Sequence, residues 1–237
     1  MAAPDLHPTT RPLSRDPLTF WVGVVLAVLA VSYATTPSLR VPLTREDGIT
    51  EWIAAATFLA AGVIGLIALR RARPVPAWSW MLPTAGFIGF GEETAYGARI
   101  LGFRLPQIGG EPIDSFHDLF DLIESLVTNL GIRRLHAAMV IAMLALAVLA
   151  VAHRRGVPWR VGRWIQEHPA AGFVLASIAA SVIAVGFDLI GTTMTMRFTE
   201  EFLELTAAGI LLVGATHIRP MDPDPGQAQG ALMETVP

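Results

Sequence analysis

Six stretches of this chain are apolar over about 20 residues each, the length that an α-helix needs to cross the hydrocarbon core of a bilayer. They cover residues 18–36, 49–69, 77–100, 134–153, 169–191 and 198–217. Hydrophobic residues make up 53% of the chain and charged residues only 16%, whereas soluble domains carry about 25% charged residues. The sequence therefore predicts an all-α, polytopic transmembrane helix bundle of six spans, over residues 18–217.

Composition also excludes several classes of chemistry. No Cys occurs, which excludes disulfides, zinc–thiolate sites, iron–sulfur clusters and thiol nucleophiles. All 17 basic residues are Arg, and without Lys the chain can offer neither Schiff-base nor P-loop chemistry. The net charge of −3 gives no reason to expect a nucleic-acid partner.

Clusters of Arg orient the predicted spans. Arg70 and Arg71 follow the second span, and a group that begins with Arg154 follows the fourth. The positive-inside rule makes both connections cytoplasmic, and six spans then leave both termini on that side. Residues 1–17 become a cytoplasmic segment, and residues 220–237, rich in Pro, Gly, Gln and Asp, predict a disordered cytoplasmic tail. We expect a multi-pass protein of a bacterial inner membrane.

The first span has a second interpretation as a signal peptide. The tripeptide Ser32-Tyr33-Ala34 resembles a small-residue cleavage site. An apolar stretch of about 19 residues is long for that role, so a retained membrane span is the favoured interpretation.

The acidic residues are segregated more strongly than the Arg. In the predicted topology the cytoplasmic side has ten Arg and six of the 20 acidic residues, and the outer side has seven Arg and 14 acidic residues. Acidic residues have little influence on membrane insertion, so topology alone does not require this distribution. It indicates a use for negative charge on the outer side.

Several of these acids lie inside the apolar spans or at their outer edges: Glu51, Glu92, Glu93, Asp188 and Glu204. A charge inside a bilayer is costly, so an intramembrane carboxylate predicts a functional site. Glu92 shares a helix face with Tyr96 and Arg99, which also allows a purely structural ion pair between them. Glu93 points about 100° away and has no such partner on its own helix, which makes it the better candidate for a ligand.

The connection between the third and fourth spans predicts an amphipathic interfacial helix on the outer side, at about residues 113–129. Apolar residues form one stripe, and His117, Asp121 and Glu124 form another at i, i+4 and i+7. A surface helix with a solvated polar face shows the same pattern, but a His with two acids along one edge also suits metal binding. His136, one turn into the fourth span, is predicted at the same depth as the acids.

The outer side thus combines an excess of carboxylates with two His. Excess carboxylate in a low dielectric is resolved by protonation or by a bound cation, and we expect a divalent metal. A mixed imidazole and carboxylate set suits Zn, Fe or Mn. The expected ligands are Glu93, His117, Asp121, His136, Asp188 and Glu204. Glu92 or Glu51 would act as general base.

These features predict a metal-dependent intramembrane hydrolase or oxidase that acts on a lipid-like substrate. The HExxH and GxSxG motifs of known hydrolases are absent. One alternative is a proton- or cation-coupled transporter, because buried carboxylates serve ion relays equally well, although no inverted repeat is evident. Another is an accessory subunit whose acids dock on a basic membrane-protein partner.

Overall fold

The structure is a computed structural model that describes residues 17–45, 48–72, 75, 77–103, 107–108, 111–112, 154, 156–190 and 193–218. The regular elements in this part of the chain are helices, apart from one antiparallel pair of two-residue strands. The predicted all-α class is therefore confirmed for the described residues. The predicted fourth span (134–153) and the predicted interfacial helix (113–129) lie outside the described residues.

The described elements follow one another in a simple order. The helices are α1 (Pro17–Thr35), α2 (Pro37–Thr44), α3 (Ile49–Arg71), α4 (Met81–Glu93), α5 (Ala98–Leu101), α6 (Val157–Glu167), α7 (Pro169–Ile190) and α8 (Met194–Thr216). Two 3₁₀ turns, Ala77–Trp80 and Ala95–Gly97, stand on either side of α4. The strands β1 (Gln107–Ile108) and β2 (Glu111–Pro112) pair antiparallel.

Within the described residues, three helices are long and apolar enough to cross a membrane. They are Pro17–Thr35, Ile49–Arg71 and Pro169–Phe187, which match the predicted first, second and fifth spans. Large apolar side chains on these helices are turned outward, and Trp21 and Val182 are 61% and 64% exposed. An apolar surface of this kind is typical of a protein that faces lipid.

The predicted third span, 77–100, differs from the structure because it is not one continuous helix. Regular α-helix ends at Glu93, and Ala95, Tyr96 and Gly97 then adopt positive φ angles of 47°, 52° and 89°. Hydropathy reports whether a segment suits lipid and carries no information on backbone φ, so this break could not be seen in the apolar pattern.

Small residues bring the helices together. α8 packs along α3 and α7, and α4 packs along α3. A Cβ on Gly86 of α4 would lie 2.5 Å from the backbone nitrogen of Gly62 in α3, so these two backbones are in direct contact. One turn further along α4, Gly89 lies against the ring of Phe58. Glycine at these two positions therefore allows α4 to approach α3 closely.

The packing gives the bundle two chemically different ends. The start of α3, the end of α4 and the start of α8 meet at one end, called here the acid-rich end. α3 ends at the opposite end, where α4 and α7 begin and where Trp78 contacts His168 edge to face, with ring centroids 4.8 Å apart.

Candidate functional site

The chain turns sharply after α4, and this turn places Arg99 at the acid-rich end. Thr94, the first residue after α4, is fully buried, and its hydroxyl donates to the carbonyl oxygen of Phe90 at 2.7 Å. Gly97 supplies a left-handed residue that a side chain would disfavour. The chain then restarts as α5, with the backbone N–H of Arg99 donating to the Thr94 carbonyl oxygen at 3.3 Å.

Arg99 forms an ion pair with Glu51 on the neighbouring helix α3. Its Nη1 also donates to the backbone carbonyl oxygen of Glu93 at 3.2 Å. The side chains of Arg99 and Glu51 are only 22% and 14% exposed, so the pair is largely removed from solvent. The sequence suggested a partner for Arg99 on its own helix, Glu92, and did not predict this pairing between helices.

Glu92 is engaged by Tyr96. The phenolic hydroxyl of Tyr96 donates to Oε1 of Glu92, as the spacing of four residues suggested. Tyr96 lies beyond the last residue of α4, so this contact spans the break and does not run along a regular helix face. The Tyr96 side chain is 49% exposed at the edge of the bundle.

Four carboxylates from three helices gather around this arrangement. Glu93 of α4 lies within electrostatic range of Glu204, Glu51 and Glu201, and of the Arg99 guanidinium. Glu201 of α8 interacts in turn with Glu204 and Glu51, and with the same guanidinium. We call Glu51, Glu93, Glu201 and Glu204 the carboxylate cluster. The cluster thus brings four carboxyl groups close to a single guanidinium, so acidic groups outnumber basic ones there.

The structure brings together three of the residues predicted for the site, namely Glu51, Glu93 and Glu204. Asp188 lies in the last turn of α7, at the same end of the bundle, but its side chain is outside the description. His117, Asp121 and His136 also lie outside the described residues.

Two members of the arrangement were missed by the sequence analysis. Glu201 is not among the residues predicted for the site, and the sequence suggests Arg99 only as a partner of Glu92. The spacing of Glu201 and Glu204, three residues apart on one helix, was the available signal, because such residues share a face. No comparable signal existed for Arg99, whose partner lies on another helix.

The described residues do not by themselves complete a metal site. Among them, no group of three or more His, Cys, Asp or Glu side chains is arranged to hold a metal ion. Carboxylate oxygens suit hard and borderline divalent cations, and the predicted imidazole ligands belong to segments outside the description.

A groove of about 550 Å³ opens beside α3 and is lined mainly by apolar residues. Its wall on α3 includes Ile49, Trp52, Ile53 and Ala56. These positions lie on the face of α3 turned away from Glu51, as helical periodicity requires. The groove is therefore separate from the carboxylate cluster.

No protein-family model, curated protein or solved structure matches this chain.

Proposed function

We propose that this chain is an integral membrane protein of six spans whose carboxylate cluster binds a cation near the outer face. Three helices with the length and apolarity of membrane spans support the first part of the proposal. Arg70 and Arg71 lie at the end of α3, and Arg160 and Arg163 lie on α6, all at the end opposite the cluster. The positive-inside rule favours a cytoplasmic location for that end, and for both termini. An inner membrane is the expected location.

The observation that carries the proposal is the convergence of Glu51, Glu93, Glu201 and Glu204 from three helices. Mutual repulsion and the loss of hydration both oppose bringing ionised carboxylates together at a membrane span. Arg99 offsets one negative charge. A bound cation would offset the remaining negative charges of the cluster. It would also explain why acidic side chains occur together in apolar surroundings.

A divalent metal is the cation that we favour, with Zn, Fe or Mn as the chemical class. Glu93 and Glu204 would supply oxygen ligands from the cluster. The remaining ligands would be His117, Asp121, His136 and Asp188. Such a metal would act as a Lewis acid or lower the pKa of a bound water, with Glu92 or Glu51 as general base. A lipid-like substrate fits this proposal because the cluster lies at the ends of helices that are apolar enough to cross a membrane.

Elemental analysis of the full chain in detergent tests the metal directly. We expect near-stoichiometric Zn, Fe or Mn in the unmodified protein and loss of that metal in the double variant Glu93→Gln/Glu204→Gln, because Gln keeps the shape but removes the charge. Glu167→Gln, at the other end of the bundle, is the matched control and should retain the metal. Metal that persists in the double variant, or no metal in any of the three proteins, would overturn the assignment.

Proton- or cation-coupled transport is the second candidate. It is favoured by the carboxylate cluster itself together with the lack of a three-ligand metal group among the described side chains. Proteoliposomes that contain metal-free protein and a pH-sensitive dye would then show ion-dependent flux. Glu93→Gln should abolish that flux if the cluster carries the ion, and flux that is unaffected by this change would argue against a transport role for the cluster.

A further inference from the structure

Helix α6 has two chemically different faces. Val161, Trp164 and Ile165 share one face by their spacing along the helix. Arg160, Arg163 and Gln166 lie on the other side and are exposed. Such a separation of apolar and basic residues is the pattern of a helix that rests at an interface.

Contacts at its carboxyl end hold α6 in position. The Cγ2 of Ile165 lies 2.7 Å from the place that a Cβ on Gly172 would take, so this side chain packs on the start of α7. The ring of Trp164 stacks on that of His168, with centroids 5.0 Å apart. The Nδ1 of His168 donates to the Trp164 carbonyl oxygen at 2.9 Å, and its ring also contacts Trp78. The carboxyl end of α6 is therefore held against the start of α7, and His168 adds a contact with the 3₁₀ turn that precedes α4.

Part of the apolar face nevertheless remains open. Val161 and Trp164 are each 39% exposed. The chain changes direction at His168, where φ is −130° and ψ is 69°, and α7 begins at the next residue. α6 thus lies at the level where α7, a helix able to cross a membrane, would enter the bilayer.

The charge on and around α6 is basic. Arg160 and Arg163 are exposed, and so is Arg154, which precedes the helix. An amphipathic helix with Arg on its polar face and Trp on its apolar face lies in the membrane interface. Arg side chains at that level attract anionic phospholipids. Charge complementarity therefore favours an anionic bilayer surface over a neutral one as the partner of this face.

We propose that α6 lies in the plane of the bilayer surface and binds anionic phospholipid headgroups through Arg160 and Arg163, with Val161 and Trp164 seated among the upper acyl chains. This inference rests on the part of the proposed function that has α7 cross the bilayer. It is independent of the carboxylate cluster and of any metal there.

The natural lack of Cys allows a direct test of depth on the full chain. A spin label is attached to Val161→Cys on the apolar face or to Gln166→Cys on the polar face, in nanodiscs that contain phosphatidylglycerol. We expect the label at 161 to lie about 5–10 Å below the headgroups, accessible to oxygen and shielded from a water-soluble nickel chelate. The label at 166 should show the reverse. Equal nickel accessibility at both positions, or a label at 161 that neither reagent reaches, would overturn the proposal.

A second measurement tests the recognition of anionic lipid. Each Arg near an anionic surface contributes about a fivefold factor, so Arg160→Gln/Arg163→Gln should reduce the ratio of embedded to exposed label at 161 by more than about tenfold. Arg70→Gln/Arg71→Gln, at the same end of the bundle but outside α6, should leave it nearly unchanged. Equal embedding in neutral and anionic nanodiscs would contradict the anionic part of the proposal, and so would a double variant of α6 that behaves like the unmodified helix.

Alkaline carbonate treatment of proteoliposomes separates failure of this inference from failure of the proposed function. A chain that is extracted by carbonate is not an integral membrane protein, and both proposals then fail. A chain that stays in the membrane while both labels remain exposed to water contradicts only the inference about α6.

Discussion

At the scale of single residues, Arg99 is the side chain on which the acid-rich end depends. It pairs with Glu51 on one helix and donates to the backbone of Glu93 on another, so it joins α3 to α4 as well as offsetting charge. A largely buried pair of this kind contributes little net stability as a pair, but removal of one partner leaves the other charge uncompensated. The other carboxylates nearby make that loss more severe.

Replacement of Arg99 should therefore be strongly destabilising. We expect Arg99→Gln to lower the free energy of unfolding by about 3 kcal/mol, because Glu51 and Glu93 then lose their nearest positive charge. The measurement is reversible unfolding of purified protein in mixed micelles. The double variant Arg99→Gln/Glu51→Gln should recover a large part of the loss, since it removes both charges of the pair. A double variant that is less stable than Arg99→Gln alone would show that the ion pair is not the source of the effect.

Ala95 gives a prediction of the opposite sign. It is 2% exposed and has φ of 47°, a left-handed conformation that costs an L-residue with a side chain about 1–2 kcal/mol. Ala95→Gly should thus raise the free energy of unfolding by about 0.5–1 kcal/mol, whereas Ala207→Gly, in the interior of α8, should lower it by about 1 kcal/mol or more. If both changes destabilise the protein to the same degree, the strain at residue 95 is absent.

At the scale of helices, the contact between α3 and α4 fixes how Glu93 and Glu51 face each other. The two helices touch through glycine, with no side chain between the backbones of Gly62 and Gly86. Backbone atoms cannot move aside as a flexible side chain can, so this contact fixes the distance between α3 and α4. The site therefore depends on positions that carry no functional group.

A methyl group at this contact should separate the helices. Gly86→Ala places a Cβ 2.5 Å from the backbone nitrogen of Gly62, and we expect it to lower the free energy of unfolding by about 1–3 kcal/mol. Gly23→Ala in α1 is the matched control, because nothing lies within 4 Å of its added Cβ, and it should be neutral or slightly stabilising. Both are measured by unfolding in the same micelles. Equal stability of the two variants would mean that α3 and α4 are not in backbone contact.

The sequence predicted the long apolar helices correctly. The spans predicted at 18–36, 49–69 and 169–191 correspond to α1, α3 and α7, because long apolar runs leave few alternatives to a helix. The prediction for 77–100 missed the turn at Ala95–Gly97. That turn is made by positive φ angles at Ala95, Tyr96 and Gly97, and hydropathy carries no information on φ.

The candidate site was predictable to a similar degree. Glu51, Glu93 and Glu204 could be selected because carboxylates inside apolar spans are costly on any helix. The role of Arg99 could not, because its partner is decided by the register of α3 against α4 and by the break that redirects the chain. The free-energy cost of burying a carboxylate depends on the residue and the apolar segment around it, both of which the sequence shows. The partner of an ion pair between helices depends on how the helices pack, which the sequence does not show.

At the scale of the whole molecule, the carboxylate cluster and the paired arginines lie at opposite ends. Glu51, Glu93 and Glu204 lie at the acid-rich end, and Arg71 and Arg163 lie at the other. The positive-inside rule acts on Arg and hardly on acids, so we expect the arginines at the end of α3 and on α6 to decide the orientation. Arg99 is the exception, because it lies among the acids at the acid-rich end.

This division predicts the orientation of the chain in a membrane. Ser38→Cys in α2 lies near the acid-rich end and Ala77→Cys lies at the opposite end, and both positions are exposed and uncharged, so neither change disturbs the arginines that determine topology. In intact spheroplasts a membrane-impermeant maleimide should label the Cys at 38 at once and the Cys at 77 only after permeabilisation. The unmodified chain, which has no Cys, gives the background. Labelling in the reverse order would put the carboxylate cluster on the cytoplasmic side, and labelling of both positions before permeabilisation would contradict a membrane-spanning bundle.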